Sequence, residues 1–256
     1  MTVDLSASIR YSMGMGKKAK KRGRRERCVQ HVFKFPNTWG GRRKGAGRKK
    51  SKNSGVSHLG RDDFNGRNPV HVTMKLLPDL PSLRTEKYFL ALLTMFEAAQ
   101  KDNFRIVHFT VQSNHLHLLV EAEGKVALSR GVTGLAVRVS RGLNKLLGRK
   151  GTVFADRFHS RVLGSPTEVR VVLNYILNNR RRHAGKAPVK IFDCRSSAML
   201  FDGWIEMEAM ELVGDHRPIV PARTWVVSRG WKNAGGKLSM YSTPGSKKPS
   251  AKGSES

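Results

Sequence analysis

The stretch Ser113-Asn114-His115-Leu116-His117-Leu118-Leu119-Val120 constrains this chain more than any other. A Ser-Asn pair supplies turn chemistry, and the residues after it run into an apolar strand. Upstream, Arg105 to Gln112 is rich in β-branched residues, so the two segments are expected to pair as a hairpin. Successive strand side chains alternate faces, which points His115 and His117 one way and Leu116 and Leu118 into the opposite layer. Two imidazoles on one face of a strand make half of a metal site. By itself, however, His-x-His is more often an ordinary strand with two hydrogen-bonded or exposed histidines.

The surrounding elements build outward from that hairpin. Val70, Val72, Met74 and Leu76 alternate with polar residues, which predicts a first strand. Leu83, Tyr88, Phe89, Leu92, Leu93, Phe96 and Ala99 recur at helical spacing, predicting a helix over about 82–101. A second helix is expected from about Val126 to Leu147, with Leu128, Val132, Leu135, Val139, Leu143 and Leu146 inward and Arg130, Arg138, Arg141 and Lys145 outward; Gly148 suits its end. Thr152–Leu163 is expected as a fourth strand, with Arg157, His159 and Arg161 on one face. Ser165-Pro166-Thr167-Glu168 carries a cap, a first-turn proline and a capping-box glutamate, and the helix it starts is expected to run to about His183. The order β-α-β-β-α-β-α predicts an α+β fold: a ferredoxin-like split β-α-β core with an antiparallel sheet, plus an extra helix that carries Tyr175.

Composition matters mainly for the partner. The 256 residues hold 48 Lys and Arg against 19 Asp and Glu, a formal charge of +29. A balance this basic points to a polyanion, with nucleic acid foremost. Sixteen Lys or Arg fall between Lys17 and Lys52 with one acid, Glu26, so residues 1–66 are expected to form a basic arm that cannot offset its own ordering entropy. A compact domain is expected over 67–185. An extension follows over 186–256, docked in part through segments such as that holding Trp225 and Trp231, with a flexible tail from about 235. Cys28 and Cys194 form no Cys-x-x-Cys pattern, and no apolar run reaches the roughly 18 residues of a membrane span. A cytoplasmic protein with no membrane partner is the expectation.

On the last helix, Tyr175 and Asn179 are four residues apart, about 40° around an unbroken axis. An amide oxygen is a hard donor that completes a shell begun by two histidines, and a tyrosine hydroxyl is a nucleophile once its proton is taken. On these two residues alone the more ordinary arrangement packs Tyr175 in a core and leaves Asn179 on the surface.

Taken together, Asn114 with His115-Leu116-His117, then Phe158-His159-Ser160-Arg161, then Tyr175-Ile176-Leu177-Asn178-Asn179, in that order, resemble the HUH single-tyrosine transposases, specifically those associated with repetitive extragenic palindromes. The resemblance covers about Arg67–His183 and departs after Asn179, where the family commonly has Pro-Val and this chain has Arg180-Arg181-Arg182-His183. It implies a divalent cation, Mg²⁺ or Mn²⁺, held by His115, His117 and Asn179. It also implies attack by Tyr175 on a DNA phosphate to leave a 5′-phosphotyrosine, and a single-stranded DNA partner folded as a hairpin. Arg138, Arg141, Arg157, His159, Arg161, Arg180, Arg181 and Arg182 are the candidate DNA contacts, and a homodimer is a further implied partner. Two other readings share these residues: a non-catalytic nucleic-acid-binding protein, and a metal nuclease that activates water and leaves Tyr175 passive.

Overall fold

The computed structural model describes residues 63–183, 192–206 and 218–245. Nearly all of the expected basic arm, and the side chain of Arg182, lie outside the described residues. Eight elements form the frame: β1 (Val70–Lys75), α1 (Glu86–Glu97), β2 (Phe104–Val111), β3 (His115–Ala122), α2 (Lys125–Leu146), β4 (His159–Val162), α3 (Pro166–Leu177) and α4 (Asn179–His183). The four strands make one antiparallel sheet in the order β2-β3-β1-β4, the ferredoxin-like arrangement expected from the element order.

Alternation along the strands divides the molecule into layers. Val70, Val72 and Met74 of β1 and Leu116, Leu118 and Val120 of β3 are buried in one core with Leu92 and Phe96 of α1 and Leu128, Val132, Leu135 and Val139 of α2. Leu119 faces the opposite side, where a second core holds Val169, Val172, Leu173 and Ile176 of α3 with Phe201, Trp204, Trp231 and Leu238 from the C-terminal extension. His115 and His117 share the parity of Leu119 and so belong to the α3 side of the sheet.

The bounds of three expected elements need correction. The strand expected over Thr152–Leu163 is regular only over His159–Val162. Residues 153–155 do pair with the end of β1, through Leu77 N–H to the Val153 carbonyl and Ala155 N–H to the Lys75 carbonyl, both at 2.9 Å. Between the two stretches, Asp156 Oδ1 accepts from the Arg157 N–H at 2.7 Å, a local bond that competes with the ladder and bends the chain. The helix expected over 82–101 is trimmed to Glu86–Glu97, starting after Thr85. The tyrosine helix does not run unbroken to His183. It stops at Asn178, whose backbone leaves the helical region (φ −103°, ψ 14°), and a short second helix starts at Asn179. The Asn178 side chain is drawn sideways, donating to Asn174 Oδ1 at 2.8 Å and to the Ser239 carbonyl and Ser242 Oγ, both at 3.1 Å.

The start of α3 follows its capping signal with one shift. Ser165 Oγ accepts from the Glu168 N–H at 3.2 Å, while the Glu168 carboxylate reaches back to the Gly164 N–H at 2.8 Å. The extension closes the β2 edge of the sheet: Val111 N–H donates to the Arg195 carbonyl at 2.9 Å and Val220 N–H to the Ile106 carbonyl at 3.3 Å. Glu121, 4% exposed, anchors it, its carboxylate accepting from the N–H of Arg223 at 2.9 Å, the N–H of Thr224 at 2.8 Å and Thr224 Oγ1 at 2.7 Å. Docking continues to Ser242, past the expected limit near 235. Among the described residues no helix is long and apolar enough to cross a membrane.

Candidate active site

The two central strands supply the floor of the site. Register pairs Thr110 of β2 with His117 of β3, His117 with Thr73 of β1, and Thr73 with His159 of β4, so these four lie in one row across the sheet. Directly opposed residues share a face, which places all four on the α3 side. His71 lies opposite Leu119 and Arg161 on the same face.

Both histidines of the His-x-His motif are held through one ring nitrogen. His115 Nδ1–H donates to Asn114 Oδ1 at 2.9 Å, which leaves Nε2 as its lone-pair nitrogen. A hydrogen bond of 3.1 Å joins His117 Nδ1 to Thr73 Oγ1. The two rings stand at 90° with centres 4.8 Å apart. Over His117 lies Tyr175 of α3, with ring centres 5.0 Å apart and Oη 3.3 Å from His117 Nε2. The tyrosine is in place because α3 buries Val172, Leu173 and Ile176 in the second core, a spacing that turns residue 175 toward the sheet.

Asn179 is fully buried, and neither of its side-chain polar atoms has a hydrogen-bond partner. Buried amides are almost always paired, and an ion is one partner that resolves such an exception. Two imidazole nitrogens and an amide oxygen form a donor set suited to a divalent first-row or alkaline-earth ion. The residues therefore fit the cation that the motif resemblance implies. Among the described residues no three His, Cys, Asp or Glu side chains are grouped to hold a metal, so the amide is essential to that donor set.

The candidate DNA contacts separate into groups. His159 and Arg161 are exposed on β4 beside the site, with Arg161 paired to Glu168. Together they flank an open groove of about 930 Å³ also lined by Phe64, Asn65 and Lys125. Arg157 is exposed in the bend before β4, and Arg180 is exposed on α4. Arg181 is half-buried, its Nε donating to the Met240 carbonyl at 2.6 Å and its guanidinium lying over the Tyr241 ring. Arg138 and Arg141 are exposed on α2, in the layer across the sheet from Tyr175.

Two residues at the centre of the site have no motif of their own in the sequence. Thr73 fixes His117. His71 packs its ring 5.4 Å from that of His117 and 5.9 Å from that of Tyr175, and its Nε2 is buried without a partner. Burial, with the positive charges of His159 and Arg161 adding to it, lowers the His71 pKa to about 4, so the ring is neutral at pH 7. Period-2 parity with the histidine strand was the signal for both, but it depends on which strands pair.

Comparison with known proteins gives a family-level match over part of the chain. The family model described as "Transposase IS200 like" matches residues 85–179, a stretch that runs from the start of α1 to Asn179. No curated protein matches the chain. A solved structure of a REP-associated tyrosine transposase bound to a REP hairpin is similar at 19% identity and a TM-score of 0.45, covering 56% of this chain and 82% of that one.

Proposed function

We propose, from the match of residues 85–179 to the IS200-like transposases, that this protein nicks single-stranded DNA beside a hairpin and rejoins strands through a 5′-phosphotyrosine on Tyr175. One observation carries the reading: Tyr175 Oη lies 3.3 Å from His117 Nε2, on the face that also carries His115. A nucleophile hydroxyl beside a metal-competent imidazole is the juxtaposition this chemistry requires.

His115, His117 and Asn179 would hold a divalent cation, Mg²⁺ or Mn²⁺. Bound there, such an ion supplies charge stabilisation at the phosphate under attack. The rest belongs to the chain. Tyr175 Oη forms a bond to phosphorus as the bond from phosphorus to the 3′-oxygen breaks, and the phenolic proton ends on the departing 3′-hydroxyl. Because the phosphodiester is exchanged for a phosphotyrosyl ester, a second 3′-hydroxyl reverses the step without another energy source. His159 and Arg161, beside the groove along β4, would position the strand, with Arg157 and Arg180 as outlying phosphate contacts.

The test is incubation of the full-length protein with single-stranded hairpin DNA and Mg²⁺, followed by a denaturing gel for a covalent adduct. The expected result is an adduct with wild type and none with Tyr175→Phe. Cleavage that survives Tyr175→Phe would instead assign a water-activating nuclease. Salt-steep binding without cleavage, indifferent to His115→Ala, would assign a non-catalytic binder.

A further inference from the structure

His117 has two ring nitrogens and three claims on them. Nδ1 is engaged by Thr73, which leaves Nε2 for both the Tyr175 hydroxyl and the cation of the proposed mechanism. One lone pair serves one partner at a time, so cation binding has to turn the hydroxyl away. The nucleophile must nevertheless stay in the site, because a displaced Oη loses the near-attack placement on which the rate depends.

Among the described residues, a buried ring nitrogen close to the Tyr175 ring has no hydrogen-bond partner. His71 Nε2 is buried and has no hydrogen-bond partner, although its ring lies edge-on to Tyr175 with centres 5.9 Å apart and next to His117 at 5.4 Å. Leaving a buried imidazole nitrogen unpaired is costly, and a second state in which the nitrogen is used is one way to account for it. His71 is not the obvious third ligand, since no three such side chains among the described residues are grouped to hold one ion.

We propose that His71 is a positioning residue that receives the Tyr175 hydroxyl as a hydrogen-bond acceptor when a divalent cation occupies His117 Nε2. The hydroxyl thus has two resting places: His117 in the cation-free protein and His71, whose ring centre lies 5.9 Å from that of Tyr175, in the loaded one. The inference rests on the cation site proposed above, and it makes cation binding and tyrosine orientation a single coupled event.

The coupling is measurable without turnover, by calorimetric titration of Mn²⁺ into full-length wild type, Tyr175→Phe, His71→Phe and the double variant, each checked for an unchanged melting transition. Tyr175→Phe removes the competitor and is expected to bind Mn²⁺ about 3–10-fold more tightly than wild type. His71→Phe removes the alternative acceptor and is expected to bind it about 3–10-fold more weakly, yet to have no effect once Tyr175 is Phe. His71→Gln, which keeps an acceptor, is expected to restore most of the affinity and also covers the case in which His71→Phe fails to fold. An equal loss from His71→Phe in both backgrounds, or no loss in either, overturns the hand-off and leaves the cation site standing. Absence of Mn²⁺ binding to wild type and to Tyr175→Phe removes the cation site and the hand-off together.

Discussion

Thr73 and His117 face each other across β1 and β3, and a 3.1 Å hydrogen bond between Thr73 Oγ1 and His117 Nδ1 fixes the imidazole that lies under Tyr175. A partner of this kind sets ring orientation and tautomer, and its loss typically weakens metal affinity about 10–100-fold. Thr73→Val keeps shape and strand propensity but removes the hydroxyl. It is expected to weaken Mn²⁺ binding within that range while leaving the circular dichroism spectrum unchanged. Undiminished affinity would show that the hydroxyl does not hold the ring.

Asn179 separates stability from activity. Its two side-chain polar atoms are buried and unpaired, a liability of about 1–3 kcal/mol for a folded protein without the ion. Asn179→Leu, with the same branching and number of side-chain heavy atoms, is therefore expected to match or exceed wild type in urea denaturation, by up to about 2 kcal/mol, while forming no DNA adduct. A large destabilisation with adduct formation retained would make Asn179 a packing residue.

Glu121 ties the C-terminal extension to the sheet through the N–H groups of Arg223 and Thr224 and the Thr224 hydroxyl, and lies 3.6 Å from Arg105 Nε. Glu121→Ala leaves those donors without an acceptor beside a largely buried cation. It is expected to cost about 3–5 kcal/mol and to open residues 218–245 to proteolysis, read by denaturation and by mass spectrometry of the cleavage products. Wild-type resistance would show that the hydrophobic contacts of Trp231 and Leu238 suffice alone.

His108 makes stability depend on pH. It is buried against Ser197 and Phe201, and burial lowers its pKa to about 4, with the charge of Asp202 opposing in part. The unfolded chain has the ordinary value near 6.5, so below it the unfolded state binds more protons and stability rises with pH. The contribution is complete above about pH 6.5 and is lost as pH falls toward 4. Between pH 7 and pH 5 this histidine is expected to remove about 1–2 kcal/mol. His108→Gln should shrink the pH 7 to pH 5 difference by that amount, measured by urea denaturation at both values. An unchanged difference would place the titration elsewhere.

Much of the frame was legible because it is written in local periodicity. Alternation in Val70–Lys75 and His115–Val120, helical spacing over 125–146, and the Ser165–Glu168 cap each depend on residues close in sequence, and each element appears within a few residues of its expected place. The misjudged boundaries fall where a side chain overrides local pattern. Asp156 bends the approach to β4, and Asn178, bound to Ser239 and Ser242, ends α3 where the apolar spacing alone would have continued it. That second bond spans more than sixty residues, and no window along the chain contains it.

The site divides the same way. His115, His117, Tyr175 and Asn179 could be named from the sequence because each stands at a spacing that repeats as a motif. Thr73 and His71 could not, since what selects them is their place opposite His117 and Leu119 once β1 pairs with β3. By itself the sequence determined the order of strands and helices, which face of β3 carries the imidazoles, and a strongly basic charge balance. Only the tertiary structure decided that Tyr175 rests on His117, that Arg138 and Arg141 lie across the sheet from it, and that Asn179 is buried with nothing to bond. Faces are set by a period of two or 3.6 residues within one segment, whereas which faces meet is set by strand order and by the cores that pack α3 and the C-terminal extension against them.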